Sequence, residues 1–442
     1  MVAPMPSYPS TTNHPAILRA MDDLTALAHQ LATNARAASQ LLVSKSAAQR
    51  TQTLHRLAEG IRASEADLLR ANAEDVDAAR AAGIDAPLVE RLKLDPRRVS
   101  KMADAVEQIA SQPDPVGQTL EGYVRPNGLR LEKRRVPLGV VLFIYESRPN
   151  VTTDAAALAL RSANAVILRG GKETLRTNAV LARVVACALD DTGLPRDAVQ
   201  LVNTPDRALL THLLKLNDRI DLVIPRGGAG LIRAVVEQST IPVLKHFDGN
   251  CHLYIDAGTE QMEQQVRDVC LNAKTSYPGG AVCNAVEHLL FHRDAAPRLL
   301  AKVCSDLAAR GVEIRGCQRT RALFPQAKPI AEDDWRTEYL AFIVGVKVVD
   351  SLDDAIEHIN RFGSHHTDGI LSNAHDAIER FVQRVDSASV MVNASTRFAD
   401  GGEYGLGAEL GISTDKLHAR GPMGAADMTT YKWIVTGNGH CR

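Results

Sequence analysis

The sequence predicts an α/β protein built as two doubly wound lobes with a protruding β-hairpin arm. Between residues 140 and 238, short β-branched runs alternate with helical stretches over short connections. Such alternation marks parallel strands joined by crossover helices. The same alternation resumes between 251 and 393. Ahead of both, residues 123–137 hold Asn127-Gly128 between two potential strands, a strong hairpin signal.

Taken in order, the first twenty residues are rich in Pro, Ser and Thr and read as a flexible tail. They lack the basic flank and apolar run of a secretory signal. Residues 21–110 are Ala-rich and helical, with Leu54, Leu57, Ile61, Leu68 and Leu69 near the spacing of one helix face. Ser64 and Asp67 have the spacing of a capping box, and His55, between Leu54 and Leu57, reads as a packing residue. In the first α/β series, strands are expected over 140–144, 166–168, 199–202 and 222–224, with helices over 155–163, 177–189, 208–216 and 230–238. The second series places strands at 252–255, 288–292, 341–349, 369–372 and 389–393. Residues 395–442 begin as a glycine-rich loop around DGGEYGLGAELG and close on an edge strand over 430–435.

At 442 residues the chain has room for about three domains, each with its own core. Lys+Arg 51 against Asp+Glu 52 leaves a net charge of −1. The two signs are interspersed, which argues against nucleic acid or an anionic membrane surface as partner. Apolar runs such as 140–145 fall far short of the roughly 20 residues that span a bilayer. Seven cysteines, an odd number with no CxxC pair, give neither a disulfide framework nor a four-thiolate zinc site. They fit a reducing compartment, the cytoplasm.

Two glycine-rich turns follow apolar strands, one at Arg169-Gly170-Gly171-Lys172, the other at Arg226-Gly227-Gly228-Ala229-Gly230. Glycine lets backbone approach a phosphate, and a helix N-terminus favours an anion. Neither turn spells a dinucleotide or Walker fingerprint, so each alone is equally a structural turn. Together, with Lys172 and Arg226 beside the glycines, they suggest a nucleotide carrying an extra phosphate. Cys283 differs from the other cysteines in its irregular approach, Pro278-Gly279-Gly280-Ala281-Val282, which exposes a thiol at a cleft. Cys187 and Cys270 read as small buried hydrophobes. Lys274 is the nearest cation in sequence to lower the thiol pKa. His365, His366, Asp333-Asp334 and Asp353-Asp354 lack any ligand spacing and read as solvated loop or helix-face positions, so no metal is expected.

The segments VPLGVVLFIYESRPNVTTDAAALALRSANAVILRGGKET, IPRGGAGL, CHLYID, NAKT, VCNAVE, AIEHINRFGSHHTDGIL, VNASTRF and DGGEYGLGAELGISTDKLHARGPMG closely resemble the gamma-glutamyl phosphate reductases. These are also called glutamate-5-semialdehyde dehydrogenases and belong to the aldehyde dehydrogenase superfamily. The resemblance covers nearly all of the chain beyond its first twenty residues. It implies the reductive step of proline biosynthesis, in which L-glutamyl 5-phosphate and NADPH give glutamate 5-semialdehyde, NADP and phosphate. It further implies that Cys283 forms a thioester and that Asn150 stabilises the oxyanion. The cofactor residues it implies are Lys172 near the adenosine ribose, Arg226, Gly227 and Gly228 at the pyrophosphate, and Glu338 on the nicotinamide ribose. Lys274, Arg397 and Arg420 are the cations expected to bind the substrate.

By the same resemblance, residues 1–122 and 140–250 bind NADPH, 251–394 carry the thiol, and 395–424 return between the lobes. Residues 123–139 and 425–442 would form an arm that builds a homo-oligomer, a dimer or higher. Glutamate 5-kinase is the expected upstream partner. The chain departs from the family in three places. SYPGGA ahead of Cys283 is about two residues longer than usual, by tolerance of loops to insertion. His246 stands where hydrolytic members carry a glutamate base, and Phe362 replaces an expected His or Tyr. Two alternatives remain at this stage: a hydrolytic aldehyde dehydrogenase and a catalytically silent scaffold of the same fold.

Overall fold

A computed structural model of the chain describes residues 15–146 and 148–442. The expected N-terminal tail therefore lies outside the described residues as far as residue 14. From Pro15 the chain is already helical. Five helices come first: α1 (Pro15–Leu42), α2 (Ala47–Ala63), α3 (Glu65–Ala81), α4 (Ala86–Leu92) and α5 (Pro96–Ser111). Leu54, Leu57, Ile61 and Leu68 are fully buried, as the periodicity requires. The capping box is not at Ser64, whose side chain makes no cap bond. It is at Ser46, which accepts from the Gln49 amide while Gln49 accepts from the Ser46 amide. The box needs Glu or Gln at its third position, which Asp67 does not supply. His55 is exposed, one position off the buried stripe.

The arm is a three-stranded antiparallel sheet of β1 (Thr119–Val124), β2 (Arg130–Pro137) and a final strand described below, with β2 in the middle. Its paired strands begin at Thr119, four residues ahead of the expected boundary. Gly128, at φ +89°, closes the turn of the hairpin in the left-handed region that favours glycine.

The first lobe holds β3 (Val140–Tyr145), β4 (Ala165–Arg169), β5 (Val199–Leu201) and β6 (Leu222–Arg226) in the order β5-β4-β3-β6, all parallel. The crossovers are α6 (Asn150–Arg161), α7 (Leu175–Thr192) and α8 (Arg207–Leu213), with α9 (Ala229–Gln238) following β6. Every residue of β3 is buried, so it reads as a continuous apolar run and not as an alternation.

The second lobe is a seven-stranded parallel sheet with strands β7 (Cys251–Ile255), β8 (Val286–His292), β9 (Glu313–Gly316), β10 (Lys328–Pro329), β11 (Ile343–Val349), β12 (Thr367–Leu371) and β13 (Ser389–Val392). Their order is β10-β9-β11-β8-β7-β12-β13, and the short β9 and β10 were not foreseen from sequence. On one face pack α10 (Glu263–Thr275) and α11 (Ala296–Ala309), with α12 (Gln318–Leu323) at the β9 side. On the other lie α13 (Leu352–Phe362) and α14 (His375–Arg384). Covering both faces is what lets a parallel sheet shed water.

The chain then returns to the first lobe. Leu410, Ala419, Met423 and Met428 join that lobe's core around the small pair β14 (Ile412–Ser413) and β15 (Gly421–Pro422). The last strand, β16 (Thr429–Thr436), pairs with β2 along its whole length. No helix of the described residues is long and apolar enough to cross a membrane.

Candidate active site

In the first lobe the chain runs from β3 outward through β4 and β5, then crosses back to β6 on the other side of β3. Ligands of doubly wound sheets bind beyond the carboxyl ends of the strands at such a reversal. Asn150 opens α6 just past β3, and Arg226 ends β6. The second lobe presents the opposite ends of its strands. Cys283, His246 and His366 precede β8, β7 and β12, which are neighbours in the sheet. Their ligating atoms all lie within 4.8 Å of one another. His366 is fully buried, so the reading of it as a solvated loop residue is corrected. Asp333 and the acidic pair at Asp353 and Asp354 are exposed, as expected.

A turn over Pro278–Gly280 delivers the thiol. Gly279 and Gly280 both stand at φ +68°, which explains why glycine occupies both positions. Behind the thiol, a Cβ added at Gly249 would fall 1.8 Å from the Cys283 carbonyl oxygen, so glycine there lets the two segments touch. Cys283 is part-buried. Burial, with the Glu409 and Glu338 carboxylates nearby, pushes its thiol up to about 12, while Arg226 and Arg148 pull the other way. Burial brings His246 down to about 4 and His366 to about 3. Cys187, by contrast, is exposed and not the buried hydrophobe expected.

Between the lobes lies a pocket of about 680 Å³ whose walls include Asn150, Arg148, Arg226, Tyr277 and Glu409. Arg91 and Lys101, from α4 and α5, also face it and carry no ion pair among the described residues. None of these cations except Arg226 stood out in the sequence. The signal for Arg148 was its place beside Asn150 in SRPN; Arg91 and Lys101 had none.

Three of the expected ligands lie elsewhere. Lys274 is fully buried, its Nζ 2.6 Å from Glu287 Oε2, and does not reach the pocket. Burial lowers its pKa, and the same burial raises that of Glu287. Arg420 is bound to Asp386, at 2.9 Å from Oδ1 and 3.1 Å from the carbonyl, beside a separate hollow with Ser389 and Tyr404. Arg226 turns to the pocket between the lobes and donates to the Glu409 carbonyl at 3.0 Å, not to the place expected for a pyrophosphate. Arg397 stays close: its guanidinium lies 5.5 Å from the Tyr277 ring, and its Nη1 is buried without a partner among the described residues. Glu338 accepts from the Gly249 amide, and burial raises it to about 7.

A second groove, of about 320 Å³, opens beyond β3, β4 and β6 between Tyr145, Glu146, Arg169, Arg207, Gly230 and Leu231. A side chain at Gly228 or Gly230 would meet nothing within 4 Å, so backbone is open to a ligand there. The Gly228 amide donates to Glu146 Oε2 at 3.0 Å. At Gly227 a Cβ would fall 2.4 Å from the same carboxylate, a packing constraint. Gly170 is likewise explained by packing, since its Cβ would lie 2.4 Å from Asn178 Nδ2. Lys172 is exposed just beyond that turn.

Asn150 is fixed by its Nδ2 donating to Asp154 Oδ2 at 2.8 Å. Asp154 is 7% exposed, and burial raises its pKa from 3.8 to about 6. Because the folded value is the higher one, the carboxylate costs stability that is absent below pH 3.8 and complete above pH 6, about 3 kcal/mol. Asp154→Asn, which removes the charge, should therefore raise the melting temperature at pH 8 and leave it near wild type at pH 4. Equal shifts at both pH values would show that the buried charge is not what the substitution removes.

Residues 8–314 match the model of the aldehyde dehydrogenase family. The chain is 46% identical over 411 residues to the gamma-glutamyl phosphate reductase of Caldanaerobacter subterraneus subsp. tengcongensis, covering 93% of this chain and 98% of that one. It superposes on the crystal structure of gamma-glutamyl phosphate reductase from Thermotoga maritima with a TM-score of 0.90 at 41% identity, over 94% of this chain and 99% of the other. An acetylating aldehyde dehydrogenase from Geobacillus thermoglucosidasius shares the fold at 18% identity and a TM-score of 0.67, over 96% and 99% of the two chains.

Proposed function

The chain belongs to the aldehyde dehydrogenase family and, within it, to the gamma-glutamyl phosphate reductases of proline biosynthesis, and we propose that its cleft reduces L-glutamyl 5-phosphate to L-glutamate 5-semialdehyde with NADPH, releasing phosphate. The observation that carries this reading is a part-buried thiol within electrostatic reach of Arg148 and Arg226, two cations that line the same pocket as the fixed Asn150 amide.

Cys283 Sγ attacks the acyl carbon as its S–H bond breaks, and the proton leaves with the departing phosphate. The S–C bond forms as the C–O bond to the phosphoryl group breaks, and phosphate leaves with the electron pair. Asn150, held by Asp154, presents its amide to the oxygen that gains charge, a contribution of about 10²–10³ in rate. Arg148, Arg91 and Lys101 offer positive charge to the phosphate and the α-carboxylate, the work first expected of Lys274 and Arg420. Arg397 adds its unpartnered Nη1.

When bound, NADPH supplies the hydride that turns the enzyme-held acyl group into the aldehyde. The groove beyond β3, β4 and β6 suits it. Arg169 and Arg207 stand close enough there to repel one another, which an extra phosphate would relieve, and Lys172 is free to join them. The open backbone at Gly230 suits close approach of a pyrophosphate, and Glu338 would take a ribose as the family resemblance implies. His246 takes the place of a glutamate base that would activate water, which argues against hydrolysis.

The exposed Tyr123, Val124, Tyr431, Trp433 and Val435 on the arm suit a sheet covered by a second copy of this chain. The acyl phosphate is too reactive to be stored, so a separate kinase, glutamate 5-kinase, supplies it in the cytoplasm. The test runs the reaction backwards with glutamate 5-semialdehyde and NADP. NADPH should form only when inorganic phosphate is present, and more slowly with NAD. Formation without phosphate would overturn this reading in favour of hydrolysis. No turnover despite intact NADP binding would overturn it in favour of a silent scaffold.

A further inference from the structure

Cys283, His246 and His366 bring one sulfur and two imidazoles together, each from the amino end of one of three adjacent strands. Bonds of about 2.0–2.3 Å in a tetrahedral zinc site set ligand atoms roughly 3.3–3.6 Å apart. The present spacing, within 4.8 Å, closes to that with side-chain rotations of about an ångström.

The two imidazoles are prepared unequally. His366 lies against Thr367 Oγ1 through Nδ1, at 2.9 Å, while its Nε2 is buried with no hydrogen-bond partner among the described residues. A buried nitrogen stripped of water in this way costs about 1–3 kcal/mol, and a ligated ion removes the cost. The His246 ring is hydrogen-bonded to the Ile412 backbone, the kind of outer contact that orients a metal-binding histidine.

We propose that Cys283, His246 and His366 together bind one zinc ion, which holds the thiol out of reaction and competes with the acyl phosphate for the same sulfur. One thiolate and two imidazoles form a borderline-soft set that suits zinc and rejects magnesium and calcium. Three protein ligands leave the fourth position to water. On binding, the S–H bond breaks, the proton passes to solvent and the S–Zn bond forms; no electron changes owner. The inhibition rests on Cys283 being the nucleophile, whereas the binding does not.

The experiment titrates zinc into the reduced, desalted full-length chain against a coloured chelator, with cobalt in parallel to read a thiolate-to-metal charge-transfer band. One equivalent should bind, and both Cys283→Ser and His366→Asn should weaken it by at least about tenfold. Zinc should inhibit competitively with the semialdehyde, and a chelator should reverse it. Thermal melts of both variants establish that they fold. Absence of a bound equivalent, absence of the cobalt–thiolate band, or binding unchanged in both variants would overturn the site. Binding at the cluster in a protein that reduces nothing would uphold the site and overturn the proposed reaction instead.

Discussion

Cys283→Ala should abolish turnover, lowering the rate of phosphate-dependent NADP reduction by at least about 10⁴-fold, with the fold and NADP binding retained. No other thiol can stand in. Cys251, the nearest, is fully buried and its pKa is driven well above the ordinary value, first by burial and then by Asp368. Cys317 is the informative control. Although burial pushes its thiol up, hydrogen bonds from Thr320 and the Val348 backbone leave it below the ordinary value, so charge alone would nominate it. Yet Cys317 follows β9 at the carboxyl edge of the second sheet, whereas Cys283 enters β8 at the amino edge. Cys317→Ala should keep full activity. Activity that survives in Cys283→Ala and disappears in Cys317→Ala would move the site to the far edge of that sheet.

Lys274→Met should cost about 3–5 kcal/mol of stability, measured by urea unfolding at pH 8, because it strands the Glu287 carboxylate in the core. Both side chains are fully buried, and their 2.6 Å contact is the only ion pair either one makes among the described residues. Attraction between two buried charges offsets the loss of water only while both are present. The double variant Lys274→Met, Glu287→Leu should therefore regain most of the loss. The KM for the semialdehyde should stay near wild type in both. A variant that unfolds like wild type and binds substrate tenfold less tightly would return Lys274 to the substrate site.

Cys283 and Lys274 also mark where sequence reading stops. The parallel lobes were legible because a buried strand writes itself as an unbroken apolar run, as in Val140 to Tyr145. Cys283 and Asn150 were nominated through motifs. Side-chain direction was not. Lys274 sits nine residues from Cys283, but the packing of α10 on β8 turns its ammonium to Glu287. Arg226 is claimed by Glu409, 183 residues away, and Arg420 by Asp386. Each is a cation in a family motif, and each was expected at a ligand because no pattern of spacing reveals which carboxylate folds against it. His366 was misjudged for the opposite reason: two consecutive histidines suggest a wet loop, while the second one is fully buried immediately ahead of β12.

The arm has a consequence for how the polypeptide is made. Arg135 on β2 bonds to Thr429 at the start of β16, 294 residues further along. At about 5–20 residues per second, the hairpin leaves the ribosome roughly 15–60 s before the strand that completes its sheet exists. For that interval both margins of a charged but aromatic-bearing ribbon are bare to other nascent chains. The complete three-stranded sheet can therefore form only after nearly all of the chain has been made, and until then the ribbon is open to wrong pairing in crowded polysomes.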